Sequence, residues 1–154
     1  MWLKKAFDQA DADGRIAKVT FTNENAIALF GVGKNMVSSI RHWAMACDVI
    51  QESSENSNFF EVSPIASKIL RDGGLDPYAE HPTTAWHAHW MLAGKGNRTT
   101  TWRWLFNHVT ASTFTRQELE GPLTDFAHKL DPKKCRCRFK TDHLCRLNFD
   151  QALL

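Results

Sequence analysis

The sequence predicts a mainly α fold, with a winged-helix or helix-turn-helix-like N-terminal part followed by a helical C-terminal part. Three observations carry that expectation. Between residues 24 and 62 the signals run in the order helix, glycine-bearing turn, long helix, polar loop, strand. Met36, Ile40, Trp43, Cys47 and Ile50 recur at alternating spacings of four and three, the repeat that places side chains on one helix face. Beyond residue 75, helix-start and helix-stop signals alternate. The expected division is a winged-helix-like domain over 1–75 and a helical region with a basic C-terminal segment over 76–154.

Taken in order, residues 2–10 form a short amphipathic pattern that ends in the polar turn Asp11-Ala12-Asp13-Gly14. A short element over 16–21 follows. Asn23 or Thr22 can accept from the first free amides of a helix over 24–30, and Gly31 suits its left-handed termination. The five-residue stripe then predicts a helix over about 33–51 with that stripe facing the core. Residues 51–58 are too polar to be buried, so they form a loop, the wing of the predicted fold. Phe59 to Val62 reads as a strand, and Ser63-Pro64 combines a capping hydroxyl with a proline suited to the first helical position.

Further on, Asp76-Pro77 and His81-Pro82 punctuate the chain. Thr83 or Thr84 is the expected cap of a helix carrying Trp86, His89, Trp90 and Ala93, where Trp86, Trp90 and Met91 suggest ordinary packing. A second helix carries Trp102, Leu105, Phe106 and Val109. Thr115-Arg116-Gln117-Glu118 matches a capping box, and Gly121-Pro122 is expected to kink or restart the helix that begins there.

The totals narrow the class of protein. A chain of 154 residues with 43% hydrophobic and 23% charged residues suffices for one domain or two very small ones, which argues against disorder. Six Trp and ten Phe against one Tyr supply heavy aromatic packing material, so a real core is expected. No apolar run is long enough to cross a bilayer, and Met1-Trp2-Leu3-Lys4-Lys5 has no export signal. The expected location is the cytoplasm, without membrane attachment, where four cysteines are free thiols or metal ligands. The formal net charge is only +2, but it is uneven: six basic and two acidic residues lie from Lys133 onward, against 13 basic and 15 acidic before it. Attraction to phosphate is therefore expected at the C-terminal end.

Several motifs carry chemistry. Gly31-x-Gly33-Lys34 invites a phosphate-loop reading, but the pattern needs glycine where Ala28 stands, hydroxyl where Asn35 stands, and a strand where the preceding segment is helical. Nucleotide binding is set aside on that spacing, and no cofactor is expected. The alternative is a tight turn between two helices, which leaves Lys34, Asn35, Ser38, Ser39, Arg41 and His42 to approach duplex DNA; a well-capped core helix with a solvated outer face is the competing interpretation.

A second DNA-binding candidate is the basic run Lys133, Lys134, Arg136, Arg138 and Lys140, whose contribution would be sequence-independent affinity. Cys135, Cys137, His143 and Cys145 supply four soft ligands, but C-x-C is a poor clamp and no second knuckle follows; zinc and an incidental basic amphipathic segment both stay open. His81, His87 and His89 with Asp76 and Glu80 do not have the spacing of a hydrolase site, since His87 and His89 point to different sides of a helix. No nucleophile elbow or catalytic carboxylate pair appears, so an enzyme is not expected.

The run Leu29-Phe30-Gly31-Val32-Gly33-Lys34-Asn35-Met36-Val37-Ser38-Ser39-Ile40-Arg41-His42-Trp43 resembles a bacterial family catalogued as domain of unknown function 4007. Supporting echoes are Trp2-Leu3-Lys4-Lys5, Asp76-Pro77-Tyr78-x-Glu80, His89-Trp90-x-Leu92, Trp104-x-Phe106-Asn107 and Lys140-x-Asp142. That family is typically encoded beside DNA phosphorothioation (Dnd) and PAPS-reductase-like genes, and its members are longer at both ends. The resemblance therefore implies a shortened member or a fragment, and a role in DNA modification or anti-phage defence. The resulting expectation is a DNA-binding accessory protein of such a system, working with its proteins. A subunit that docks a modification or defence enzyme without touching DNA is the alternative.

Overall fold

The computed structural model describes residues 1–95 and 98–130. The elements are α1 (Trp2–Phe7), β1 (Arg15–Ala17), a 3-10 turn (Lys18–Phe21), α2 (Ala26–Phe30), α3 (Lys34–Ala46), β2 (Ile50–Glu52), β3 (Phe59–Val62), α4 (Pro64–Leu70) and α5 (Pro82–Trp90). A π-helical turn (Met91–Lys95), α6 (Thr100–His108) and α7 (Arg116–Leu130) follow. Helix dominates, and the three strands form one small antiparallel sheet in the order β1–β3–β2. Ile16 lies opposite Phe60 and Ile50 opposite Val62, so each flanking strand brings an apolar residue to the central one.

Two compact units divide the chain, the first ending at Leu92 and the second beginning at Ala93. Residues 76–92 thus pack with the first unit: Ala88 and Leu92 lie against its core. That core joins Ile16, Phe21, Phe30, Val37, Ile40, Ala44, Val49, Ile50, Phe60 and Leu70. Phe21 stacks on Phe30 with ring centroids 5.2 Å apart and meets Phe60 edge-on at 5.9 Å, which ties the 3-10 turn, α2 and the sheet together.

The punctuation read from sequence acts largely as expected. Gly31 ends α2 with φ 64° and ψ 32°, a left-handed conformation that costs a side-chain-bearing residue about 1 kcal/mol. Ser63 Oγ accepts from the Ala66 amide at 3.1 Å, and Pro64 opens α4. At the far end of α4, a Cβ on Gly74 would lie 2.8 Å from the carbonyl oxygens of Lys68, Ile69 and Arg71. Only glycine permits the chain to fold back there, with Leu75 and Asp76 donating to the Lys68 and Ile69 carbonyls at 3.0 Å.

The short element after Gly14 is strand β1 followed by the 3-10 turn, and three expectations are corrected. The long helix stops at Ala46, and Ile50 belongs to a strand. Its buried residues are Val37, Ile40, Ala44 and Ala46: Ile40, and Cys47 just past the helix end, are buried as expected, while Val37 and Ala44 are buried in place of Met36, which is 42% exposed, and Trp43, which is only half-buried. The physical reason is close packing: α3 lies against α1, Ala44 and Ala6 are both fully buried in the same core, and small side chains let two helices approach closely. α5 is capped by the His81 side chain, with neither Thr83 nor Thr84 in that role, and Trp86 and Trp90 point outward instead of packing.

In the second unit, Thr115 donates its amide to Glu118 at 2.7 Å, as the capping box requires. α7 then continues through Pro122 without the expected restart. Trp104 and Leu119 are its buried anchors, and the Phe126 ring lies 6.5 Å from Trp104 and 5.1 Å from His108. Asn107 Nδ2 donates to the carbonyls of Ala93 and Arg103, fastening α6 to the π-helical turn.

Candidate nucleic-acid interface

α2 and α3 are joined by a three-residue turn, Gly31 to Gly33. After Gly31 reverses the chain, Val32 is half-buried and Gly33 takes an extended conformation, φ −63° and ψ 160°, from which α3 begins. No side chain caps the α3 start and no acidic residue occupies its first turn. The free amides and positive dipole end are therefore left to solvent or to an anion.

With Val37, Ile40 and Ala44 buried, helical spacing fixes what faces outward. Lys34, Ser38 and Arg41 stand at i, i+4 and i+7 and form one row; Asn35, Ser39 and His42 form the next. Lys34, Asn35 and Ser38 are exposed, whereas Ser39, Arg41 and His42 are partly covered. Ser39 Oγ donates to the Asn35 carbonyl at 3.1 Å, so its hydroxyl is engaged with its own helix. The His42 ring meets Trp43 edge-on at 5.2 Å. The six residues named from sequence on this helix thus share one side of it, with two cations flanking amide and hydroxyl groups.

The hairpin β2–β3 contributes a different chemistry. Residues 51–58 contain Glu52 and Glu55 and no lysine or arginine. Arg15 pairs with Glu55 at 2.8 Å, and Lys18 lies 3.9 Å from Glu52 and over the Phe60 ring. At the tip, Ser53 Oγ donates to Glu61 and accepts from the amides of Glu55 and Asn56, while Asn56 Oδ1 accepts from Asn58. The loop is rigidly self-bonded and supplies no cation for a phosphate.

Elsewhere the chemistry is structural. Asp76 accepts from the amides of Glu80 and His81 and from Thr84 Oγ1 at 2.6 Å, which closes the loop before α5 and occupies the carboxylate. A cavity of about 30 Å³ lies among Leu3, Cys47, Val49, Ala66, Leu70 and Ala88, enough for one water. Burial pushes the Cys47 thiol up to about 12, which removes it as a thiolate nucleophile. Among the described residues no three His, Cys, Asp or Glu side chains are placed to hold a metal ion, and no helix is long and apolar enough to cross a membrane. The basic run Lys133, Lys134, Arg136, Arg138 and Lys140, and the quartet Cys135, Cys137, His143 and Cys145, lie outside the described residues.

Sequence reasoning missed the outward aromatic face of α5. Trp86 and Trp90 are 71% and 66% exposed one helical turn apart, and Tyr78 in the preceding loop is 70% exposed. Their spacing of four was visible, but tryptophan usually signals burial.

Residues 1–149 match the family described as Protein of unknown function (DUF4007). The chain is also similar to SspB, in a magnesium ion-bound crystal structure at 27% identity and in a second crystal structure at 28%, each with TM-score 0.72 over 86% of this chain. It spans 40% of the length of those SspB chains. Among curated proteins none matches.

Proposed function

This chain belongs to the DUF4007 family of proteins of unknown function, and from that premise we propose that it is a cytoplasmic DNA-binding accessory protein of a phosphorothioation-type modification or anti-phage defence system. It acts as a binding module rather than as an enzyme, through a winged-helix-like N-terminal part. The observation that carries this reading is the outward side of α3: Lys34, Asn35, Ser38 and Arg41 around a helix start that no side chain caps. Support for the winged-helix description comes from the element order, α1, β1, α2, α3, β2, β3, and from the sheet order β1–β3–β2. In such a module the second helix of the turn enters the major groove, where Asn reads adenine and Lys or Arg reads guanine. The cations from Lys133 to Lys140 add affinity that is independent of sequence.

Binding of a labelled duplex, measured by anisotropy at two salt concentrations, tests the reading. Micromolar or tighter affinity that weakens steeply with salt is expected, and absence of binding at low salt overturns it. Lys34→Ala combined with Arg41→Ala is expected to weaken binding without unfolding, and to lower the salt slope by about 1 for each of the two that contacts phosphate rather than a base.

A second reading, a subunit that docks a modification or defence enzyme, is favoured by the exposed Trp86, Trp90 and Tyr78. Co-purification with the product of a neighbouring gene, lost on Trp86→Ala with Trp90→Ala and accompanied by no DNA affinity, would decide for it.

A further inference from the structure

We infer that Lys5, a residue of α1 that no DNA-facing row includes, positions the turn between α2 and α3 and thereby sets where α3 is presented; the inference rests on the DNA-binding reading of α3. Lys5 Nζ donates to the Phe30 carbonyl at 2.7 Å, in a partly buried contact that spans 25 residues. Phe30 is the last residue of α2, a helix of five residues with little intrinsic stability. Its terminal carbonyls have no amide partners within the helix and carry the negative end of its dipole. An ammonium there satisfies one of them and opposes that partial charge. The same Nζ lies 3.9 Å from where a Cβ on Gly31 would stand, so the contact is made at the reversal itself.

The neighbouring lysine shows that this is a property of position and not of charge alone. Lys4 Nζ reaches a different helix end, donating to the Leu70 carbonyl of α4 at 2.9 Å and pairing with Asp72 at 2.9 Å and Asp8 at 3.0 Å. α1 is held to the core by Ala6, Leu3 and Phe7. From that fixed base two consecutive lysines secure the ends of two helices, and only Lys5 secures the one leading into α3.

The test uses the full chain with Lys5→Met, Lys5→Arg, Lys4→Met and Lys34→Ala. Lys5→Met is expected to weaken duplex binding roughly three- to tenfold, the span of one hydrogen bond's net worth, with the salt slope unchanged. Lys34→Ala lowers affinity and slope together. Lys5→Arg restores most of the affinity, because a guanidinium reaches the same carbonyl, whereas Lys4→Met leaves the affinity of the folded protein unaltered. Amide exchange reads the positioning without DNA: Lys5→Met is expected to speed exchange at Gly31 and Val32, whose amides both bond the Ile27 carbonyl, and Lys4→Met is not. Unchanged exchange and affinity in Lys5→Met would overturn the inference, as would a fall in its salt slope equal to that of Lys34→Ala. If the wild-type chain binds no DNA while Lys5→Met still loosens the turn, the DNA reading fails and the positioning role stands.

Discussion

At the scale of single residues, several polar groups in the first unit serve to end or begin helices. Asp76 is the fullest case, accepting three hydrogen bonds in front of α5. The Thr84 hydroxyl, helped by the Glu80 and His81 amides, holds its carboxyl below the usual 3.8. A folded pKa below the unfolded one means that the carboxylate stabilises the fold above pH 3.8 and that this contribution is lost as pH falls through the lower folded value. Asp76→Ala is therefore expected to lower the melting temperature at neutral pH, with the gap to wild type closing below about pH 4. A gap that is constant across that range would show that the loop is held by something other than this carboxylate. Gly74 and Lys5 belong to the same economy of helix ends, one by having no side chain and the other by reaching across with a long one.

At the scale of elements, what sequence reveals depends on how the element is fixed. Boundaries set by local chemistry were legible: Gly31, Ser63-Pro64, the Thr115–Glu118 box and the strand Phe59–Val62 all stand where residue type placed them. The face of α3 was misread at two positions, because Val37 and Ala44 pack the core while bulkier Met36 and Trp43 do not. Side-chain size ranks those residues in the opposite order, and α3 packs closely against α1. Of the proposed DNA-facing residues on that helix, Lys34, Asn35 and Ser38 are exposed and Ser39, Arg41 and His42 are partly covered.

Tryptophan shows the same limit. Trp86 and Trp90 on α5 are exposed, while Trp104 on α6 is 7% exposed. Trp104→Ala is expected to destabilise the second unit by about 3–5 kcal/mol. Trp86→Ala and Trp90→Ala are each expected to stay within about 0.5 kcal/mol of wild type, as for ordinary surface positions. Denaturant titration of the three variants checks this, and comparable losses in all of them would mean that α5 packs its aromatic face.

For the whole molecule, two facts matter most: among the described residues the core of the first unit is drawn from positions up to Leu92, and that stretch holds eight basic and eleven acidic residues. The first predicts that a fragment ending at Leu92 folds by itself, with a single cooperative thermal transition and retained helical circular dichroism. A non-cooperative melt would show that the core depends on the rest of the chain. The second means that DNA meets no general attraction from this body. Under the proposed function the fragment binds duplex more weakly than the full chain and with a shallower salt slope, because the cations from Lys133 onward are gone.

The sheet order has a consequence for the sequence of events in folding. β3 is both the central strand and the last to be made, so β1 and β2 have no partner until Val62 has left the ribosome. Of the contacts that do not need the sheet, α1 supplies its packing against α3 and the Lys5 bond to the Phe30 carbonyl of α2. The helices that present the proposed site therefore precede the central strand in the chain, and the sheet can close only after all three of them have been made.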